Sequence, residues 1–316
     1  MPGTIIHPAL QNLAERAKRA VSRRSPPKLV VALPFQRTLE FVAEMASGGL
    51  VVPVVIGPEN ELRSRWDAIS RSRVYLVDAS DSATAAELAA EHIRNERADV
   101  MMRGGLSAEE IETVIRGHGL EARDTAGGDG TIISHVAAVA LPKRDQLLAI
   151  SDGGWILNPN LRETMGIIRN SIHLLNAIGI ARPKIAVLSA VEDIDPRISR
   201  TMLAAAVSQM SRRGMLEPAI VDGPIRFDHA VTPAHGHEVP FSSPVAGKAD
   251  AVIAGSMEEA NILIKALAYL GQAQFGGLLL GGAVPVAWPA WQSPGKSPLL
   301  SIVLAILVWH AARGED

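Results

Sequence analysis

Arg103-Gly104-Gly105-Leu106-Ser107 brings together a fixed positive charge, two residues without side chains and a hydroxyl placed to cap the helix that follows. Such a turn can grip an anion. Glycines let a ligand reach backbone N–H groups, the start of a helix favours negative charge, and arginine offers a planar fork of donors. The competing reading is an ordinary strand-to-helix turn with a surface arginine. A second stretch, Ser243-Pro244-Val245-Ala246-Gly247-Lys248, has small residues that allow close approach to the backbone. Its lysine is either an anion contact or a salt-bridged surface group. Asn261 and Lys265 lie on the helical segment beyond it.

His135, directly after Ser134, is either a hydrogen-bonded structural histidine or a substrate contact. His229, His235 and His237 fall in a stretch with Pro and Gly and lack ligand spacing to a carboxylate, so they read as a solvated loop and not a metal site. Trp288 and Trp291, among prolines, form either a packed lid or an apolar surface for an acyl group or a partner. The sequence has no cysteine, which removes disulfides, thiolate nucleophiles and thiolate metal sites and fits a reducing compartment such as the cytoplasm. A net charge of -2 and only 4% aromatic residues argue against a nucleic-acid partner.

These residues need a scaffold, and 316 residues with 47% apolar content suffice for two domains with substantial cores. Apolar runs predict strands over 28–33, 50–56, 74–78, 98–102, 131–141, 147–152, 184–189, 219–222 and 251–254. Helical spacing predicts helices over 38–46, 82–96, 108–117, 162–177, 199–213 and 257–270, the last with Leu263, Ile264, Leu267 and Leu270 on or near one face. The alternation implies mostly parallel sheets with right-handed crossovers. Ligands of such sheets bind beyond the carboxyl ends of the strands. Pro53 suggests an edge strand or a strand start, and Asp222-Gly223-Pro224 reads as a turn, with Asp222 and Asp228 shaping it. The basic N-terminal segment reads as a surface helix ending before Pro26-Pro27. The apolar run 299–308 is shorter than the ~20 residues of a membrane span, so it reads as a buried terminal helix and no membrane association is expected.

Larger patterns carry a resemblance. Asp222-Gly223-Pro224 is followed by Phe227-Asp228, then by Ser243 to Asp250 (SPVAGKAD), a strand, an acidic turn, Asn261 and Lys265. Ile133 to Val136 (ISHV) and Val187 to Pro196 (VLSAVEDIDP) precede them. The combination, spread over residues 28–305, resembles the phosphate acetyl/butyryltransferases, and the last two stretches look like the butyryltransferase branch. The resemblance implies two three-layer αβα domains with mostly parallel sheets and an interdomain cleft, similar to the isocitrate and isopropylmalate dehydrogenases. The expected domains are 1–135 with 283–316, and 136–282. It implies a homodimer that moves a short or branched acyl group between coenzyme A and inorganic phosphate, with coenzyme A as substrate and no cofactor or metal.

On that basis Arg103, Ser107 and Lys248 would hold phosphate, with Gly104 and Gly105 lining the acyl-phosphate site. Asp152 would be a base or orienting group, and Ser134, His135, Ser243 and Asn261 would contact substrate. Asp152 matches the first residue of a family Asp-x-x-x-Asn pattern; Ile156 stands at the Asn position, and Asn158 comes two residues later. Family members carry a Ser-Arg pair where alignment on Val284-Pro285-Val286 places Ala290 and Trp291. That departure keeps open a second reading, a homologue without transfer chemistry that binds coenzyme A or a phosphorylated ligand in a regulatory or partner-binding role. An oxidoreductase on the same fold is a third, for which Gly127-Gly128-Asp129-Gly130 has the wrong spacing.

Overall fold

The computed structural model describes residues 7–116, 132–235, 241–289 and 297–314. Gly127 to Gly130, His237, Ala290 and Trp291 lie outside the described residues. The chain divides into two units. One comprises Leu10–Thr131, Gly276–Gln292 and Lys296–Asp316; the other comprises Met1–Ala9, Ile132–Phe275 and Ser293–Gly295.

Elements are numbered along the chain. The first unit contains most of α1 (Pro8–Ser22), then β1 (Lys28–Ala32), α2 (Gln36–Ser47), β2 (Val52–Gly57), α3 (Glu59–Ile69), β3 (Tyr75–Asp78), α4 (Ser82–Arg94), β4 (Val100–Met102) and α5 (Ala108–Arg116). The later chain adds most of β10 (Gln274–Leu280), β11 (Val286–Ala287) and α10 (Ser297–Ala311). Strands β3-β2-β1-β4-β11 are parallel neighbours, and β10 runs antiparallel to β11.

Leu29, Val30 and Val31 are fully buried, as befits a parallel strand covered on both faces. Pro53 is not on an edge strand, because β2 pairs with both β1 and β3. It causes no loss, because Val52 N–H points to β1 and the next residue therefore faces the β3 side. There β3 begins only opposite Val54. Helix α3 was not foreseen: among mostly polar and charged residues it buries only Leu62 and Trp66, one turn apart. Helix α1 buries Leu10, Leu13, Ala17 and Val21 and leaves Lys18 and Arg19 exposed. Among the described residues no helix is long and apolar enough to cross a membrane. Helix α10 is buried along nearly its whole length.

The second unit contains β5 (Ser134–Ala140), β6 (Leu148–Ser151), α6 (Leu161–Ala177), β7 (Lys184–Leu188), α7 (Ser199–Arg212), β8 (Ile220–Ile225), α8 (Phe227–Val231), β9 (Ala251–Ile253) and α9 (Met257–Tyr269). Its sheet order is β5-β6-β9-β7-β8, with β5 antiparallel to β6 and the rest parallel. Asp222-Gly223-Pro224 is not a turn; it lies inside β8. Gly223 is needed because a Cβ there would stand 2.7 Å from Val187 O on the neighbouring strand. Asp222 accepts a 2.6 Å hydrogen bond from Ser208 of α7, so it fastens helix to strand. On α9 the buried stripe is Ala260, Ile264 and Ala268. Leu270, expected near that face, is 86% exposed because the helix ends at Tyr269.

Buried Ser301 of α10 donates to Ser297 O and accepts from Gly277 N of β10. Ser301→Ala leaves that strand amide unsatisfied and should cost about 1–3 kcal/mol, read as a lower urea midpoint at unchanged slope.

Candidate active site

Strand β4 ends at Met102 and delivers Arg103 to the carboxyl edge of the first unit's sheet. Its neighbour β11 ends at Ala287 and delivers Trp288 beside it, and Arg103 N–H donates to Ala287 O. The guanidinium lies over the Trp288 ring, 4.2 Å from Cζ to centroid. Trp288 is buried and Arg103 half-buried. Burial holds the guanidinium below the usual arginine range, yet arginine stays charged at any working pH.

The glycines do something other than offer amides. A Cβ on Gly104 would stand 2.0 Å from Ala32 O, and one on Gly105 would stand 2.6 Å from Leu33 O. Gly105 N–H donates to Ala32 O. They let the turn pack against the end of β1. Ser107 and Glu110 form a reciprocal cap on α5: Glu110 N–H donates to Ser107 Oγ, and Ser107 N–H donates to Glu110 Oε2. A carboxylate therefore already occupies the helix start. Of the residues expected to bind an anion in this turn, only Arg103 brings an uncommitted charge.

The second unit gathers four other expected residues. Asp152 follows β6 and is buried. Its Oδ1 accepts from Gly154 N and Trp155 N, both at 2.9 Å, and its Oδ2 accepts from His135 N at 3.0 Å and Ile156 N at 3.2 Å. Asn261 of α9 donates to Gly153 O in the same turn. Ser134 Oγ accepts from Asn170 of α6, and Ser151 Oγ donates to His135 O. The His135 ring packs on Gly154, and its Nδ1 is buried without a hydrogen bond. With four amides on two oxygens, the Asp152 carboxylate has no lone pair left for a substrate proton. It organises the turn and does not fit the role of an open base.

Ser243 and Lys248 belong to a different cluster. Ser243 Oγ accepts from Val245 N and Ala246 N and so shapes its own loop; Lys248 is exposed. That loop closes on α8 through Gly247 N–H to His229 O and Ala249 N–H to Ala230 O. His229 is not in a solvated loop. It is buried in α8 with Nδ1 2.7 Å from Glu192 Oε1 and Nε2 3.0 Å from Arg226 Nη2. Sequence reading missed this cluster because Glu192 is 37 residues away and no spacing rule links them. Asp228, expected to shape a turn, pairs with Arg226 on the surface. Among the described residues no three His, Cys, Asp or Glu are grouped to hold a metal ion.

Asp152 and His135 carry opposing pH dependences. Burial pushes Asp152 up to about 6, against the pull of its amide donors, and pushes His135 down to about 4. Between those values the folded chain holds a proton on Asp152 that the unfolded chain has released, so this group loses stability as pH rises. His135 is neutral when folded and protonated when unfolded, so it gains stability as pH rises. The two offset each other. Asp152→Asn should lower stability at every pH by mispairing the amides, and should make it rise relative to wild type by roughly 1 kcal/mol per pH unit from about 4 to 6. Urea melts across that range check the slope.

A family model described as phosphate acetyl/butaryl transferase matches residues 80–290. The chain is 32% identical over 309 residues to a phosphate acetyltransferase of Rhizobium meliloti, covering 97% of this chain and 96% of that protein. It is 30% identical over 272 residues to a probable phosphate butyryltransferase of Bacillus subtilis, covering 85% and 88%. Its fold is similar to that of a branched-chain phosphotransacylase from Enterococcus faecalis V583, with a TM-score of 0.74 at 23% identity over 89% of this chain and 99% of that one. With the model spanning most of its length and relatives aligned nearly end to end, the chain belongs to the phosphate acetyl/butyryl transferase family of acyltransferases.

Proposed function

We propose that the protein transfers a short or branched acyl group between coenzyme A and inorganic phosphate. The observation that carries this is the Arg103 guanidinium, fixed over Trp288 at the carboxyl edge of a parallel sheet. Among the described residues it makes no hydrogen bond, so its donors are free for phosphoryl oxygens. Relatives named for acetyl and butyryl transfer, at 32% and 30% identity, support the acyl range.

In the acyl-CoA-forming direction the coenzyme A thiolate attacks the carbonyl carbon of an acyl phosphate. The bond from that carbon to the phosphate oxygen breaks, and phosphate leaves with the proton of the thiol. Arg103 neutralises the charge that gathers on the departing phosphate, an interaction that strengthens toward the transition state. The chemistry needs no covalent enzyme nucleophile, so a chain without cysteine can perform it.

The test is acyl-CoA formation from acetyl, butyryl and isobutyryl phosphate with coenzyme A. Wild type should turn over at least one of them; binding of coenzyme A without turnover of any would favour the non-catalytic homologue. Arg103→Ala should lower kcat/KM for the acyl phosphate about 10- to 100-fold, the worth of one hydrogen bond to a charged group. Trp288→Leu keeps the charge but removes the platform, and should raise KM for the phosphate-bearing substrate about 2- to 30-fold with kcat changed less. Equal kinetics in Arg103→Ala and wild type would remove this residue from the site.

A further inference from the structure

The second unit holds a cavity of about 590 Å³, large enough for a small organic molecule. It lies at the amino edge of that unit's sheet. Arg182 precedes β7, Glu217 precedes β8, and Ser211 and Arg212 end α7. Asp152 follows β6 and so stands at the opposite, carboxyl edge. We infer that this cavity is a binding site for a small phosphate monoester whose organic part carries a hydroxyl or amino group. The inference does not rest on the acyl-transfer reading.

The deepest polar group of the lining is Asp222, only 3% exposed. Its Oδ1 accepts from Ser208 Oγ at 2.6 Å and from Gly223 N at 3.1 Å. Its Oδ2 is buried and, among the described residues, has no hydrogen-bond partner. A buried carboxylate oxygen without a donor is costly, and native structures rarely leave one so. The bond to Ser208 turns this side chain toward α7, and the next turn of that helix lines the cavity through Ser211. Oδ2 therefore asks for a donor from the cavity side. Ser211 Oγ accepts from Val221 N at 2.9 Å and keeps its own proton to give.

Positive charge comes from two directions. Arg182 and Arg212 are exposed, and among the described residues neither side chain makes a hydrogen bond or an ion pair. Two planar forks on one cavity match a dianionic phosphate, whose oxygens accept paired donors. Exposed Glu217 is the other charge of the lining, and it accepts as Asp222 does. Pro244, from the loop that Ser243 shapes, adds an apolar wall for a carbon skeleton. Two guanidinia and two carboxylates around one space select a ligand that carries both an anionic group and hydrogen-bond donors. Inorganic phosphate meets the first demand and an uncharged alcohol or amine the second; a phosphate monoester of a hydroxylated or amino compound meets both.

The test is calorimetric titration of the full chain with glycerol 3-phosphate, ribose 5-phosphate and AMP, beside inorganic phosphate and the unphosphorylated parents. At least one monoester should bind about 10-fold or more tightly than inorganic phosphate and than its own parent. R182M/R212M should weaken that monoester about 10- to 100-fold, the worth of hydrogen bonds to a charged group. D222N, which loses the buried acceptor, should weaken the monoester and leave inorganic phosphate unchanged. R103A should still bind the monoester, because Arg103 belongs to the other unit. R182M/R212M alters only exposed side chains, so it reports even if D222N does not fold. The inference is overturned if no monoester binds more tightly than inorganic phosphate, or if R182M/R212M binds it as wild type does. Binding lost in R103A and kept in R182M/R212M assigns the ligand to Arg103 and overturns it as well.

Discussion

Many of the backbone amides at the carboxyl ends of these strands are committed to the fold, and this narrows which groups remain for chemistry. Gly105 N–H is bound to β1, and the start of α5 is closed by its own Glu110. Four amides of the second unit converge on Asp152. Buried backbone groups left unpaired are costly, so loops packed this tightly satisfy themselves. An anion could not take the amides of Gly105, Ser107 or Glu110 without breaking the turn after β4. Fixed charge has to come from side chains, and Arg103 has that role because Trp288 supplies a platform that does not compete for its donors.

The same constraint separates groups that look alike in sequence. Asp152 and Glu192 are both buried carboxylates, but one is consumed by amides and the other faces an imidazole. Ser107, Ser134 and Ser243 are all hydroxyls expected at a substrate site, and each already accepts a hydrogen bond from its own unit. They hold the scaffold in shape. Among the expected site residues of the first unit, the charge left for an anion is that of Arg103.

Much of the fold was legible from local pattern. Apolar runs such as Leu29-Val30-Val31 can only be buried strands in a chain of this alternation, and helical spacing over 82–96 and 257–270 finds α4 and α9. What failed was inference from residue type where tertiary packing had the deciding part. Gly223 followed by Pro224 has the chemistry of a turn, yet the missing Cβ serves a close approach to Val187 inside β8. Gly104 and Gly105 suggested exposed amides and instead let backbone meet backbone. Helix α3 escaped because two buried residues, Leu62 and Trp66, give too little periodicity. The Arg103–Trp288 and Glu192–His229 pairs join residues 185 and 37 positions apart, and only strand order brings them together.

The most direct measurement is a crystal structure with inorganic phosphate or a non-hydrolysable acyl phosphate bound. The account predicts the tetrahedral anion within about 3 Å of the Arg103 guanidinium nitrogens, with that group still stacked on Trp288. An anion seated instead on the amides of residues 104–107, with Arg103 turned away from it, would contradict it.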